Sequence, residues 1–172
     1  MQKKLNLKIK YREGFRPFAP SVLAEENSNF FEMDTDSPYM LLIADVVKSR
    51  RTKLPDNYYQ MPLWDRLYYT RSDVQSITHL DFSARIQTVH KETNPRYWAL
   101  INKFKEKTGY GVIVNTSFNV RGEPIICTPA DAYKCFMRTE MDFLVVGNHF
   151  FAKTEQPGWE EKEKWMEKFK LD

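Results

Sequence analysis

Glycine, cysteine and long apolar runs are all scarce in this sequence. Its 172 residues include six glycines and two cysteines, and the cysteines, Cys127 and Cys135, do not form a CxxC pair. That spacing favours reduced thiols over a disulfide framework or a zinc site. Apolar stretches such as residues 40–44 and 143–146 are far shorter than the about 20 residues that a membrane-spanning helix needs. We therefore expect neither a zinc fold nor a membrane span.

Familiar catalytic and nucleotide-binding motifs are missing as well. The sequence has no Walker-type phosphate loop, no GxSxG turn and no GxGxxG fingerprint, and its three histidines show no metal-ligand spacing. Residues 1–10 lack the apolar core and cleavage site of an export signal, so we expect a cytoplasmic protein. The net charge of +3 gives no whole-molecule attraction to nucleic acid. Any anion site must therefore be local.

Apolar and aromatic side chains, by contrast, are plentiful. Hydrophobic residues make up 42% of the sequence, and aromatic residues make up 15%. This composition predicts a compact fold rather than a disordered tail. A chain of this length buries roughly two thirds of the surface that it exposes when unfolded. No repeat or linker run divides the sequence. We therefore expect residues 1–172 to form one domain.

The first half of the predicted fold rests on two segments. The continuous apolar run at residues 39–47 predicts a core strand that is buried on both faces. Further along, Asn94–Pro95 and Gly109 supply the start and stop signals of a helix. The inner face of this helix would carry Tyr97, Ile101 and Phe104.

Alternation of strands and helices continues towards the carboxy terminus. Residues 110–114 are strand-like, and Thr128–Pro129 begins a second helix, with Asp131 as the capping-box partner of Thr128. Tyr133, Phe136 and Met137 would face inward, and residues 143–146 would form another short buried strand. Together these elements predict an α/β domain with a mixed sheet flanked by helices.

The last residues predict an amphipathic helix over about 158–170. Trp159, Trp165, Met166 and Phe169 recur there at helical spacing among Glu and Lys. This helix could pack on its own domain or dock against a partner domain, and the pattern leaves both readings open.

Basic residues near the amino terminus form the first candidate anion site. Lys10, Arg12 and Arg16 precede Pro17 and Pro20, and a turn at the prolines would bring the three cations together. Arginine forks suit phosphate oxygens. The alternative is a solvated basic face.

A second candidate lies at residues 78–88, which are dense in small polar side chains. Alternation along a strand would place Asp81, Ser83, Arg85 and Gln87 on one side. Such a row of hydrogen-bonding groups needs partners if it is covered. A half-buried strand with a polar face is the alternative.

The turn at residues 115–122 is the third candidate. Its backbone N–H groups, Ser117 and the amides of Asn115 and Asn119 could form a nest for an oxyanion, with Arg121 beside it. Asn and Ser also favour turns for purely local reasons. Pattern alone therefore indicates an anion-binding α/β domain and no more.

Several runs of this sequence, taken together and in order, resemble the carboxy-terminal domain of the NodU/CmcH-type carbamoyltransferases. The resemblance covers most of residues 5–150. Its most specific part is the combination of NTSFN, GEPI and FRPFAPS. The runs are KIKYREGFRPFAPS, SPYM, THLDFSARIQTV, NPRYW, NTSFNVRGEPI and CTPADAYKCFMRTEMDFLVVGN.

This resemblance implies a YrdC-like fold and a role as one half of an O-carbamoyltransferase. The domain would bind carbamoyl phosphate and ATP with Mg²⁺, and would form carbamoyl adenylate. An actin-like amino-terminal domain, which carries a histidine-bound metal and the acceptor site, would then transfer the carbamoyl group to a hydroxyl. That partner domain and its metal have no counterpart in this chain.

By the same resemblance, the candidate residues acquire roles. Lys10, Arg12 and Arg85 are the catalytic candidates, of which Lys10 and Arg12 would hold phosphate and Arg85 would bridge the two substrates. Ser117 and Asn119 would accept the carbamoyl amide or the ribose, while Asn115 would fix the turn. The remaining substrate-binding or ATP-binding candidates are Arg16, Met40, Thr78, Ser83 and Arg121.

Three alternatives remain open. Residues 48–76 form an aromatic insertion relative to the family, with five Tyr and Trp residues, which could be a partner or acceptor surface or a lid on its own domain. A threonylcarbamoyl-adenylate synthase of the YrdC type would share the fold and adenylate chemistry. A non-catalytic RNA-binding module would use the basic opening and the aromatic insertion.

Overall fold

The computed structural model of the protein describes residues 1–160. The chain forms two compact units. The sheet unit comprises Pro17–Thr116, with Gln2. The turn unit comprises Met1, Lys3–Arg16 and, among the described residues, 117–160. The amphipathic helix that the sequence predicts at about 158–170 lies almost entirely outside the described residues. Whether residues 1–172 act as one domain stays a prediction.

Helices and strands alternate, as the sequence predicts. In chain order the α-helices are α1 (Gln2–Leu5), α2 (Asn27–Phe30), α3 (Leu63–Tyr68), α4 (Pro95–Thr108) and α5 (Pro129–Arg138). The strands are β1 (Ala19–Leu23), β2 (Leu42–Asp45), β3 (Ser83–Val89), β4 (Val112–Asn115), β5 (Phe143–Val146) and β6 (His149–Ala152).

The sheet unit is built on a four-stranded mixed sheet with strand order β2-β3-β1-β4. β1 runs parallel to β3 and antiparallel to β4, and β2 is antiparallel to β3. Val22, Ala84 and Ile86 are fully buried. Leu23 of β1 and Val89 of β3 form an apolar cluster with Ile101 of α4. This mixture of sheet and helices confirms the predicted α/β class.

Local sequence signals fix α4 as predicted. The Asn94 side chain accepts a hydrogen bond from the Tyr97 backbone N–H, and Gly109 ends the helix in the left-handed region at φ 81°. Ile101 is completely buried. Phe104, which we expected on the inner face, is 41% exposed. The apolar face of α4 is therefore narrower than its sequence indicates.

The prediction of a core strand at residues 39–47 is wrong in its burial. β2 lies at the edge of the sheet, and Leu41 and Ile43 are 79% and 61% exposed. Ser37 holds the preceding loop, because its hydroxyl donates to the Ile86 carbonyl and its backbone N–H donates to the Thr88 hydroxyl. A continuous apolar run is typical of a central strand. Here β2 has one neighbouring strand, β3, and only the end of the run, at Val46, is also bridged to Phe31 and fully buried.

The aromatic insertion folds around one buried cation. Arg71 is 2% exposed and donates to the backbone carbonyls of Arg66, Tyr69 and His79 at 2.9–3.1 Å. Tyr58 is buried, and its ring packs edge to face with the ring of Tyr69. Several of its other large side chains are exposed, namely Tyr59, Leu63, Trp64 and Tyr68. The choice between a lid and a partner surface stays open.

The turn unit combines an amino-terminal helix with α5 and a hairpin. α1 continues as a π-helix over Asn6–Lys10. Thr128 and Asp131 form the predicted capping box of α5, and Phe136 packs with Leu144 in the core of the unit. In the β5–β6 hairpin, however, Phe143 is 62% exposed. The predicted burial of β5 is thus wrong on one face, because a two-stranded hairpin buries only the side that packs on α5.

Candidate functional site

Lys10 holds the turn that follows Thr116. Its ammonium Nζ donates to the carbonyl oxygens of Ser117 and Asn119 at 2.8 and 2.7 Å. It also lies 2.8 Å from Asn119 Oδ1 and 3.3 Å from Ser117 Oγ. The side chain is buried, with 4% of the residue exposed. Since an ammonium has three protons, these four oxygens account for its donors in this conformation.

Burial of this cation shifts its protonation. Removal from water, followed by repulsion from Arg12, lowers the pKa of Lys10 from 10.5 to about 8. Lys10 therefore stays mostly protonated at neutral pH. The contacts of Lys10 show a residue that shapes the turn at Ser117 and Asn119, a role that the sequence did not predict. Direct phosphate binding by Lys10 stays a prediction.

Asn6 organises the loop that carries the arginines. It is completely buried, and its Oδ1 accepts a 2.6 Å hydrogen bond from Arg12 Nε while its Nδ2 donates to the Arg16 carbonyl at 2.8 Å. The Arg12 backbone N–H also donates to the Asn6 carbonyl. The chain reverses at Tyr11, where φ is 50°. The reversal thus occurs before the prolines at which we expected it.

Three arginines gather around the carboxylate of Glu13. Arg16 Nη2 lies 2.9 Å from one carboxylate oxygen, and Arg121 Nη1 lies 3.1 Å from the other. Arg12 is close enough to lower the pKa of Glu13, although the larger cause is a hydrogen bond from the residue's own backbone N–H. We call Arg12, Arg16 and Arg121 the arginine cluster. It joins cations from two segments that the sequence presents as separate candidates, the basic opening and the 115–122 turn.

Arg85 lies on the sheet of the other unit. It is exposed on β3 opposite Ile43 of β2. Two residues on, the Gln87 Oε1 accepts hydrogen bonds from Ser21 Oγ at 2.7 Å and from Asn115 Nδ2 at 2.6 Å. Asn115 therefore ends strand β4 and holds Gln87, rather than fixing the turn that follows. The predicted alternation of Arg85 and Gln87 on one face is correct.

The other candidates of the sheet unit have different surroundings. Thr78 is completely buried, and its hydroxyl pairs with Ser72 at 2.7 Å, so it lines no open surface. The Ser83 hydroxyl donates to Asp81 at 2.7 Å. Met40 is half-buried and has a φ of 59°. A positive φ is rare for a residue with a side chain and often marks functional loops.

A cavity of about 480 Å³ opens in the sheet unit beside Gln87. Its lining includes two aromatic side chains, Tyr39 and Tyr97, together with the side chains of Asn94 and His90. His90 Nε2 lies 3.3 Å from a carboxylate oxygen of Asp36 at the same cavity. Aromatic faces with a few polar groups are typical of small-molecule sites.

Sequence reasoning missed Asn6 and Glu13, and it predicted only the strand face of Gln87. Asn6 offered no signal, because a single Asn in a basic helix is indistinguishable from a solvated one. Glu13 sits inside the run YREGFR, where nothing in the spacing indicates which of the neighbouring cations its carboxylate pairs with. Gln87 was placed on the correct face, yet only its polarity and not its bonding to Ser21 was foreseeable.

No metal centre is evident in the described part of the chain. Residues 1–160 contain no group of three or more His, Cys, Asp or Glu side chains that could hold an ion. Cys127 and Cys135 are both free thiols, and burial raises the pKa of Cys135 to about 11. Across the same residues, no helix is long and apolar enough to cross a membrane.

The chemistry that this arrangement supports is recognition of anions. Guanidinium groups pair with carboxylate or phosphate oxygens through forked, charge-assisted hydrogen bonds. In the turn unit, the three arginines of the cluster gather around the carboxylate of Glu13, and Lys10 lies close enough to Arg12 for their charges to repel. The structure thus defines an α/β protein with an arginine cluster that is paired with a carboxylate.

The chain belongs to the carbamoyltransferase family. The family model described as the carbamoyltransferase carboxy terminus matches residues 1–153. This match confirms the family that the sequence runs resemble.

Relatives are considerably longer than this chain. An uncharacterized protein of Synechocystis is 59% identical over 172 residues, which is all of this chain and 28% of the relative. The nodulation protein NolO of Bradyrhizobium diazoefficiens is 39% identical over 87% of this chain and 24% of its own length. A 3'-hydroxymethylcephem-O-carbamoyltransferase of Amycolatopsis lactamdurans is 31% identical, with 86% and 24% covered. The chain thus spans about a quarter of these relatives.

Proposed function

We propose that this chain is the part of an O-carbamoyltransferase that binds carbamoyl phosphate and MgATP and forms carbamoyl adenylate. The observation that carries the proposal is the arginine cluster around Glu13. Its members belong to the runs KIKYREGFRPFAPS and NTSFNVRGEPI, within the region that the family model matches. Guanidinium groups recognise phosphate through forked, charge-assisted hydrogen bonds.

The arginine cluster supplies the charge that carbamoyl phosphate requires. Arg12 is held by Asn6 through Nε, and Arg16 and Arg121 lie beside it against the carboxylate of Glu13. A side chain that is fixed before the ligand arrives, as Arg12 is by Asn6, loses less entropy on binding. Lys10 contributes its charge and keeps Ser117 and Asn119 in place for the carbamoyl amide or the ribose.

The sheet unit supplies groups suited to ATP. Arg85 is an exposed cation on β3, and the cavity beside Gln87 has aromatic walls on which a base can stack. Magnesium enters with the phosphates of ATP as part of that substrate, since Mg²⁺ is commonly held by phosphates and water with few protein ligands. We assign Arg85 to the phosphate charge of the substrates.

In the proposed reaction, carbamoyl phosphate first loses its phosphate to water and leaves carbamate. A carbamate oxygen then attacks the α-phosphorus of ATP, a new O–P bond forms, and the bond to pyrophosphate breaks. Both partners are anions, so positive charge must offset their repulsion during in-line attack. The carbamoyl adenylate would pass to an acceptor hydroxyl held by the part of the longer enzymes that lies outside this chain.

Replacement of Arg85 tests the assignment. The substitution R85A should lower the affinity for carbamoyl phosphate at least tenfold while leaving the fold intact, because Arg85 is exposed and its loss creates no cavity. Calorimetry measures the affinity, and circular dichroism checks the fold.

A matched control is K107A, which removes another exposed cation of the same unit, in the last turn of α4. It should leave the affinity within about twofold of the unmodified chain, as expected for a surface charge away from the site. Equal affinities for R85A and the unmodified protein would contradict the role of Arg85.

A further inference from the structure

Glu13 is the one acid inside a set of cations, and the reaction proposed above gives it no task. Its two carboxylate oxygens lie 2.9 Å from Arg16 Nη2 and 3.1 Å from Arg121 Nη1. The oxygen that faces Arg16 is shielded from solvent, yet it accepts no hydrogen bond. A carboxylate oxygen in this condition is held mainly by charge and can be exchanged for a better acceptor.

The charge of the set depends on this acid. Arg16 and Arg121, together with Arg12, lower the pKa of Glu13 in addition to the hydrogen bond from its own backbone N–H. Glu13 is therefore ionised throughout the neutral range. It occupies the two guanidinium groups with one negative charge where a phosphate dianion would bring two.

We propose that Glu13 acts as an internal competitor that an incoming phosphate group must displace from Arg16 and Arg121. Glu13 is thereby a specificity-determining residue, because only an anion that binds the two arginines better than a carboxylate can enter. The inference rests on the proposed function for the identity of the substrate, carbamoyl phosphate. Any phosphate dianion can probe the displacement itself.

The local geometry permits this exchange without a change of fold. Arg16 and Glu13 are three residues apart, and their side chains are 51% and 34% exposed. Both can therefore rotate towards solvent. Arg12 has a second anchor, because its Nε donates to the buried Asn6. Departure of Glu13 thus removes its ion pairs with Arg16 and Arg121 and leaves the hydrogen bond between Arg12 and Asn6 in place.

The test compares E13Q with the unmodified chain by calorimetric titration of inorganic phosphate and of carbamoyl phosphate at pH 7.5. Glutamine keeps the shape and removes the charge. We expect E13Q to bind phosphate at least tenfold more tightly. E13D, which keeps the charge, should bind it as weakly as the unmodified protein. Unchanged or weaker binding by E13Q would overturn the inference.

The matched control is E140Q in the same unit. Glu140 pairs with Lys8 and not with the arginine cluster. E140Q removes one negative charge, as E13Q does. Phosphate affinity should stay within twofold of the unmodified chain. An equal gain for E140Q and E13Q would show a general charge effect and would overturn the specific role of Glu13.

A second measurement does not depend on the folding of E13Q. In the unmodified protein, ¹³C NMR of the Glu13 carboxylate, assigned with E13D, should show its pKa return towards the ordinary range when phosphate saturates the site. A constant pKa with phosphate bound would overturn the displacement.

The inference and the proposed function can fail separately. Phosphate binding that tightens in E13Q, without any carbamoyl adenylate from carbamoyl phosphate and MgATP, would sink the proposed function alone. Adenylate formation with equal phosphate affinity in both proteins would sink the inference alone. Absence of phosphate binding in both proteins would overturn the inference.

Discussion

Among single residues, Lys10 ties stability to pH. Burial lowers its pKa from 10.5 to about 8, so between these values the folded chain holds fewer protons than the unfolded chain. The free energy of unfolding should therefore rise with pH across about pH 8 to 10.5 owing to this group. Below pH 8 the cost of the buried charge is fully present. Urea unfolding at pH 7.5, 9 and 10 measures the change.

The variant K10M isolates this effect. It should lack the part of the rise that Lys10 causes, since methionine does not titrate. It should also be less stable than the unmodified chain at pH 7.5 by about 2–4 kcal/mol, because the oxygens of Ser117 and Asn119 lose a charged donor. An identical pH dependence in both proteins would contradict the assigned shift.

Candidate site residues could be predicted from the sequence where the type of side chain alone indicates its role. Arg12, Arg16 and Arg121 could be named because a guanidinium is always charged and suits few roles. Their counter-ion Glu13 and their anchor Asn6 could not, since a contact between residues 13 and 121 or between Asn6 and Arg12 depends on the path of the chain. For the same reason the sequence could not predict that Thr78 is buried.

At the scale of elements, the capping box of α5 should contribute measurably to stability. The Thr128 hydroxyl accepts from the Asp131 N–H at 3.1 Å, and Asp131 Oδ2 accepts from the Thr128 N–H at 3.0 Å. T128A should lower the free energy of unfolding by about 1 kcal/mol. The urea midpoint reports this loss.

T154A provides the comparison for this prediction. Thr154 is exposed in the same unit and caps no helix start, so its replacement should change the free energy of unfolding by less than about 0.5 kcal/mol. Equal effects of T128A and T154A would show that the cap adds nothing.

The ends of helices that have local start and stop signals were predicted correctly. The burial of strands β2 and β5 was not. Asn94, Gly109 and Thr128 fix helix ends through bonds within a few residues. The burial of β2 and β5 depends on which elements cover them, and that is settled by sheet order. An edge strand and a hairpin face therefore carry exposed apolar side chains, including Ile43 and Phe143, that the sequence alone presents as core.

On the scale of the whole molecule, the two units carry separate sets of candidate residues. The turn unit holds the arginine cluster, and the sheet unit holds Arg85 and the cavity beside Gln87. The chain spans about a quarter of the relatives that it matches. Our account assigns substrate activation to this quarter and acceptor binding to the remainder.

The most direct test of that account is calorimetric titration of the purified chain with carbamoyl phosphate, with and without Mg²⁺ and a non-hydrolysable ATP analogue. The account predicts saturable binding of both ligands to this chain alone, because the arginine cluster and Arg85 are present in it. Failure of the chain to bind either ligand would contradict the claim that it contains the adenylation site.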